Sequence, residues 1–231
     1  MTAASPKQLA FDIPHRPALG AEDFLVSNSN EAAVALVDRW PDWPAGAAVI
    51  AGPAGSGKSH LANVWRLRTN AQVLAAAAIF EPDVPKLASA GALVVEDLHC
   101  GTGSEQALFH LLNLVREQRL AILLTTAIEP GDLKIQLPDL RSRLRALAVA
   151  RISPPDDALL RAVLVKLFSD RQLNIDPAII GFLLVRMERS MEAARRLVAE
   201  VDRLALAMHR GVTRTVASAA LDALETQAKG T

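Results

Sequence analysis

Among its 231 residues the chain has a single cysteine, Cys100. One thiol excludes an internal disulfide and a cysteine-based metal site. Excess charge of either sign is also missing, since 25 Lys and Arg balance 25 Asp and Glu. Nothing sequence-wide therefore draws the chain to nucleic acid, although a local patch is compatible with a neutral total. No apolar run approaches the roughly 18 residues of a membrane span. The N-terminus, MTAASPKQLAFDIP, lacks the basic start and apolar stretch of a signal peptide. With 51% hydrophobic and 22% charged residues, disorder over most of the chain is excluded. The expectation is a soluble, cytoplasmic protein with one substantial core, or a core domain plus a small appendage.

What is present begins after residue 20. The first twenty residues, with Pro6, Pro14, Pro17 and Gly20, read as an extended tail. Asn28 with Glu31 three residues on resembles a capping box, and Ala33, Leu36, Val37 and Trp40 follow on one helical face. Five short apolar runs come next, at Ala47–Ala51, Val73–Ala76, Ala92–Val95, Ala121–Thr125 and Leu147–Ile152. Each is short enough for a strand buried on both faces. Helical periods lie between them, clearest in Leu108, Leu111, Leu112 and Val115. Strands alternating with helices imply a parallel sheet with helical crossovers. From Pro154 onward no strand-like run stands out. Leu160, Val163, Leu164 and Leu167 share one helical face, Asp176-Pro177 opens a second helix, and Ala194, Leu197, Val198, Val201, Leu204, Ala205 and Met208 form the stripe of a third. A last helix is expected from about Thr213 to Leu224. The organisation expected is a tail over 1–20, an α/β base over 21–153 and a helical lid over 154–231.

Gly52-Pro53-Ala54-Gly55-Ser56-Gly57-Lys58-Ser59 satisfies the phosphate-loop pattern G-x-x-x-x-G-K-[ST] in full. Glycines let backbone N–H groups turn inward around phosphate oxygens, Lys58 reaches the outer phosphates, and the Ser59 hydroxyl ligates Mg²⁺. The strand-like Val49-Ile50-Ala51 before it and the helix-like His60–Trp65 after it supply the context the motif needs. His60 itself reads as a helix-surface or core histidine. Leu93-Val94-Val95-Glu96-Asp97 looks like a second nucleotide motif, a buried strand delivering carboxylates to a metal and to attacking water. Its order is unusual, because Glu96 occupies the slot nearest the metal, where Asp is commoner.

With these motifs placed, the chain resembles the AAA+ ATPases, and within them the DnaA replication-initiator branch. The likeness runs over residues 21–225. Glu22–Asn30 is similar to the leading segment that covers the adenine. Ala107–Asn113 is similar to the helix after the second motif. Ile122-Leu123-Leu124-Thr125-Thr126 occupies the place of the first sensor, which is either Thr125 or Thr126. Leu140–Leu144 followed by Ile152–Pro155 resembles the seventh conserved box, and there Arg143 aligns with the arginine finger presented to a neighbour's nucleotide. Ser190–Leu197 resembles the second-sensor helix, with Arg195 in the phosphate-contacting slot. Read from the residues alone, Arg141, Arg143 and Arg145 are a solvated helix or turn face, and Arg195 and Arg196 the polar side of an amphipathic helix. The resemblance implies an AAA+ P-loop NTPase fold with a five-stranded parallel sheet and a C-terminal all-helical lid. It also implies ATP or ADP with Mg²⁺ held by Gly52, Gly55, Ser56, Gly57, Lys58, Ser59, Thr125 and Arg195, with Ser59 and Glu96 on the metal. Arg143, Asp97 and Glu96 would be the catalytic groups.

An initiator would continue into a helix-turn-helix domain, whereas this chain stops at Thr231, and the stretch between Ser59 and Leu93 is short for the helices that grip single-stranded DNA. The expectation is a motor module without DNA-binding parts, similar to the regulatory members of the branch. Gln8-Leu9-Ala10-Phe11-Asp12-Ile13 resembles the short motif by which replication proteins bind the sliding clamp. An extended peptide can set Leu9, Phe11 and Ile13 into an apolar cleft while Gln8 hydrogen-bonds at its rim. One such peptide binds near micromolar, about −8 kcal/mol. The partners implied are the clamp and the DnaA initiator, and the neighbour met by Arg143 is either DnaA or a second copy of this chain. On this expectation the chain restrains replication initiation and turns over nucleotide slowly itself. The alternatives are a stand-alone loader acting on a helicase or on single-stranded DNA, and an adaptor that uses nucleotide only to fold.

Overall fold

A computed structural model describes residues 25–118, 120–208 and 210–229. The tail, the Gln8–Ile13 hexapeptide and the first part of the leading segment, Glu22–Phe24, lie outside the described residues. After helix α1 (Glu31–Asp38), strands and helices alternate: β1 (Ala47–Ala51), α2 (Lys58–Thr69), β2 (Gln72–Ala75), α3 (Val84–Ala88), β3 (Ala92–Glu96), α4 (Glu105–Glu117), β4 (Ala121–Thr126), α5 (Pro138–Arg145) and β5 (Ala148–Arg151). Four further helices follow: α6 (Asp157–Asp170), α7 (Pro177–Leu184), α8 (Met191–Ala207) and α9 (Arg214–Lys229).

The five strands form one sheet in the order β2-β3-β4-β1-β5, and every pairing is parallel. Side chains alternate across each strand with a period of two, so each face packs its own layer. Val49, Leu93, Val95, Ile122 and Leu124 join α3, α4 and α5 in one core. Ala48, Ile50, Val94, Leu123 and Ala150 turn the other way, onto α1 and α2. Trp43, which no motif accounts for, belongs to that second layer. It stacks on the fully buried Trp65 with ring centroids 5.3 Å apart and donates its indole N–H to Leu36 O at 2.8 Å.

Three local expectations need correction. The run over 147–152, observed as Ala148–Arg151, is an edge strand flanked only by β1, with Arg151 exposed. The strand over 73–76 is not buried on both faces. Observed as Gln72–Ala75, it is an edge strand, with Val73 44% exposed, because only β3 flanks it. The capping box at Asn28 and Glu31 does not form either. Asn30 stands at the N-cap of α1, and its side chain instead staples the preceding turn, accepting from Ser27 N–H and donating to Leu25 O, both at 2.9 Å.

Residues from Leu160 onward build a separate helical core, in which Leu160, Leu164 and Phe168 of α6 meet Leu183 of α7 and Leu197 and Val201 of α8. Side-chain caps start these helices, at Asp176 as expected and also at Asp156 and Ser190, which the sequence pattern does not mark. Asp156 accepts from Leu159 N–H at 2.7 Å, Asp176 from Ala178 N–H at 2.7 Å, and Ser190 from Ala193 N–H at 3.0 Å. Met208 sits past the end of α8 and is 44% exposed, while α9 runs beyond Leu224 to Lys229. Among the described residues, no helix is long and apolar enough to cross a membrane.

Candidate functional site

Because the sheet is wholly parallel, the C-terminal ends of its strands share one edge, and loops leaving that edge can converge. The loop after β1 turns directly into α2. Gly57 forms the N-cap of α2 at φ +106°, a left-handed conformation that L side chains rarely adopt, and this exposes the first N–H groups of the helix. Lys58 is only 8% exposed, and its ammonium donates to Gly52 O and Pro53 O, each at 2.8 Å. Burial pushes its pKa below the ordinary lysine value, while the negative charges of Asp97 and Glu96 oppose that shift.

Those two carboxylates stand where β3 ends. Asp97 takes a left-handed φ of +59° and donates its backbone N–H to Thr125 Oγ1 at 3.2 Å, tying the ends of β3 and β4 together. Of the two candidate sensor threonines, Thr125 is thus the one beside the carboxylates. The Thr126 hydroxyl is engaged in its own turn, donating to Ile128 O at 3.0 Å and accepting from Ile128 N–H at 3.3 Å. His99 closes the same edge by accepting from Ala127 N–H at 3.2 Å.

A cavity of about 390 Å³ opens between the phosphate loop and the C-terminal helices. Leu25 and Asn30 line it from the leading segment, Ser56 to His60 from the loop and α2, and Glu192 and Arg195 from α8. The apolar face of α6 is divided by this cavity. Leu160 and Leu164 lie fully inside the helical core, while Val163 and Leu167 pack against that core and also line the cavity. Arg195 reaches across to α2 and donates Nη2–H to His60 Nδ1 at 3.3 Å, the only polarity open to a guanidinium. His60 is thereby a partner of Arg195 across 135 positions, which nothing in its local sequence signals. Arg196 points elsewhere, with a carboxylate oxygen of Glu188 at 3.7 Å.

The lid side and the loop also touch through backbone. Met191 N–H donates to Gly55 O at 2.8 Å, and a Cβ at Gly55 would stand 2.7 Å from Ser190 Cβ. Glycine is required there by the neighbour as much as by its φ of +69°.

The arrangement fits a nucleotide. Ser56 Oγ lies buried beside the cavity with no hydrogen-bond partner, an uncommon state that a phosphate oxygen would relieve. Among the described residues no cluster of three or more His, Cys, Asp or Glu could hold a metal by itself. Mg²⁺ needs no such cage, since it commonly takes one or two protein donors and completes its shell with phosphate oxygens and water. Ser59, Glu96 and Asp97 are the oxygen donors on the loop and on the strand end whose charge reaches Lys58. Arg143 does not line the cavity. It lies on α5, where its guanidinium donates to Asn113 Oδ1 of α4.

Solved structures share this architecture. Domain III of the Thermotoga maritima replication initiation protein DnaA superposes with a TM-score of 0.71 at 18% identity, over 90% of this chain and 97% of that one. The AMPPCP-bound DnaA from Aquifex aeolicus gives 0.65 at 18% identity, over 82% of this chain and 66% of that one. The Thermotoga maritima RuvB Holliday junction branch migration motor gives 0.65 at 18% identity, over 85% and 67%. No protein-family model matches the chain. The five-stranded parallel sheet with its flanking helices and helical C-terminal region is the AAA+ P-loop NTPase fold, of DnaA-like form.

Proposed function

We propose that this chain is an adenine-nucleotide-binding regulator of replication initiation, similar to Hda, the regulatory inactivator of DnaA. The observation that carries the reading is the separation of its two arginines. Arg195 faces the cavity that the chain builds for itself, whereas Arg143 stands outside that cavity on α5. An arginine placed away from its own nucleotide is suited to a neighbour's, where an arginine finger contributes roughly 10³–10⁵ in rate.

In this reading Gly52, Gly55, Gly57 and Ser56 cradle the phosphates, Lys58 turns from the carbonyls of Gly52 and Pro53 to the outer phosphates, and Arg195 contacts them from the lid. Thr125 and Asp97 hold the ends of β4 and β3 in register beside them. Ser59 and Glu96 would hold Mg²⁺, which would supply charge neutralisation of the phosphate oxygens. Glu96 in the metal slot is consistent with slow turnover by the chain itself, so the nucleotide serves mainly as a conformational switch. The partners are the sliding clamp, held through Gln8, Leu9, Phe11 and Ile13, and DnaA, whose bound ATP receives Arg143.

The test is ATP hydrolysis by DnaA in the presence of DNA-loaded clamp and this protein. Acceleration by the wild type is expected, with loss in Arg143→Ala and in a Gln8→Ala, Leu9→Ala double variant. No acceleration with either ADP or ATP bound would sink the reading. Hydrolysis by the chain itself, stimulated instead by single-stranded DNA, would point to a loader.

A further inference from the structure

Arg143 is the single residue on which the proposed function depends most, yet nothing in α5 alone keeps it in place. Arg143 lies between Leu140 and Leu144, which are fully buried, and is itself only half-buried. A side chain in that position keeps most of its rotameric freedom unless something outside the helix holds it.

Helix α4 supplies two such holds. In its first turn, Glu105 reaches over to the segment that starts α5. Its carboxylate accepts from Gln136 N–H at 2.9 and 3.1 Å and from Leu137 N–H at 2.6 Å. These amides precede Pro138, the first residue of α5, so a negative charge sits at the positive end of the helix. Two turns along the same helix, Asn113 accepts from Arg143 Nη2. Because a guanidinium has no acceptor, the amide oxygen must be the atom facing it. One of five N–H donors is thus engaged, and the others remain available to an anion.

We infer that Glu105 and Asn113 are positioning residues for Arg143, which together make α4 a cradle that sets where α5 begins and where its guanidinium points. The inference rests on the reading of Arg143 given above, but the cradle makes its own physical claim. Helix α4 follows β3 through the short 3₁₀ turn Leu98–Cys100, so the cradle is continuous with the strand that carries Glu96. The strand end that carries Glu96 and the helix that holds Arg143 are therefore neighbours along the chain, joined by the turn and the loop 101–104. Neither residue touches the neighbour's phosphates in this scheme. Both act through Arg143.

The experiment compares wild type, Asn113→Leu, Asn113→Asp and Arg143→Ala, all confirmed folded by circular dichroism. The first readout needs no partner. In ¹⁵N-labelled protein the Arg143 guanidinium should give a restrained signal in the wild type and in Asn113→Asp, which retains the acceptor oxygen. It should be averaged by free rotation in Asn113→Leu. In Glu105→Ala, hydrogen exchange at the Gln136 and Leu137 amides should quicken. The second readout is stimulation of the neighbour's ATP hydrolysis, which should fall about three- to tenfold in Asn113→Leu and recover in Asn113→Asp. Full stimulation by Asn113→Leu while Arg143→Ala is inactive would overturn the inference and leave the proposed function standing. Full stimulation by Arg143→Ala would remove the proposed function, and the guanidinium signal would then decide the cradle alone. A guanidinium equally restrained with and without the Asn113 oxygen refutes it.

Discussion

Replacing Gly55 by alanine isolates the contact between the phosphate loop and α8. Two costs are separable. The backbone at Gly55 has φ +69°, where a Cβ costs about 1–2 kcal/mol. The new methyl would also stand 2.7 Å from Ser190 Cβ and 3.1 Å from Ser190 Oγ, while Ser190 Cα is a comfortable 3.8 Å away. Ser190 must therefore move, and with it the Met191 N–H···O Gly55 bond of 2.8 Å, worth about 1 kcal/mol net. The sum is about 2–3 kcal/mol of destabilisation. Ser190→Gly alone should cost only a few tenths of a kcal/mol, since glycine is a tolerable N-cap. In the double variant the clash vanishes and only the φ cost remains, so the pair should be about 1 kcal/mol more stable than the sum of the singles. Urea denaturation followed by far-ultraviolet circular dichroism measures all four proteins, with unchanged slopes as the check on comparability. Additive costs, or a neutral Gly55→Ala, would show that α8 does not rest on the loop as described.

Lys58 yields a pH signature with a definite sign. Burial lowers its pKa in the fold below the 10.5 of the unfolded chain, so the unfolded chain binds the extra proton. The penalty for burying the ammonium is complete below the folded pKa and is relieved as pH rises from there toward 10.5. The stability of the wild type should thus rise relative to Lys58→Met as pH rises toward 10.5. The chain has no tyrosine whose phenol would titrate in the same range. Parallel stability curves for the two proteins would contradict the burial. Ser56→Ala should have effects of opposite direction on stability and binding. Removing a buried, unpartnered hydroxyl should leave the nucleotide-free protein unchanged or up to about 1 kcal/mol more stable by thermal shift. Affinity for a fluorescent ATP analogue should fall about fivefold, and a loss of stability with unchanged affinity would reject the role given to that hydroxyl.

Local features were legible from residues alone. The phosphate loop is contiguous, and its flanking strand and helix are as the apolar pattern implies. The three central runs, β1, β3 and β4, and the stripe of α8 are equally plain, because a buried strand or an amphipathic helix writes its environment into adjacent positions. The misreadings of β2 and α6 share one cause. A four-residue apolar run such as Val73–Ala76 does not reveal how many neighbours its strand has, so an edge strand and an interior strand read alike. Nor could the period of α6 tell which of its core-packed residues also line a cavity, as Val163 does and Leu160 does not. Contacts joining distant positions, such as Arg195 with His60, Asn113 with Arg143, and Ser190 with Gly55, left no local trace. The resemblance singled out the arginines but not the residues that hold them.

The cavity has a consequence for how the molecule melts. One wall is the phosphate loop and leading segment beside the sheet's core and the other is packed on the core of α6 to α9, and the main chain passes between those cores once, over residues 152–156. Any occupant touching Leu25 and Ser56 on one side and Val163 and Arg195 on the other is a non-covalent cross-link between them. Its binding energy then enters the coupling between two cooperative units as well as the stability of each. The empty protein can lose its helical core first and its sheet later, giving two heat-absorption peaks. The filled protein is obliged to lose both together, so a calorimetric trace that narrows from two transitions to one would report occupancy as a gain in cooperativity.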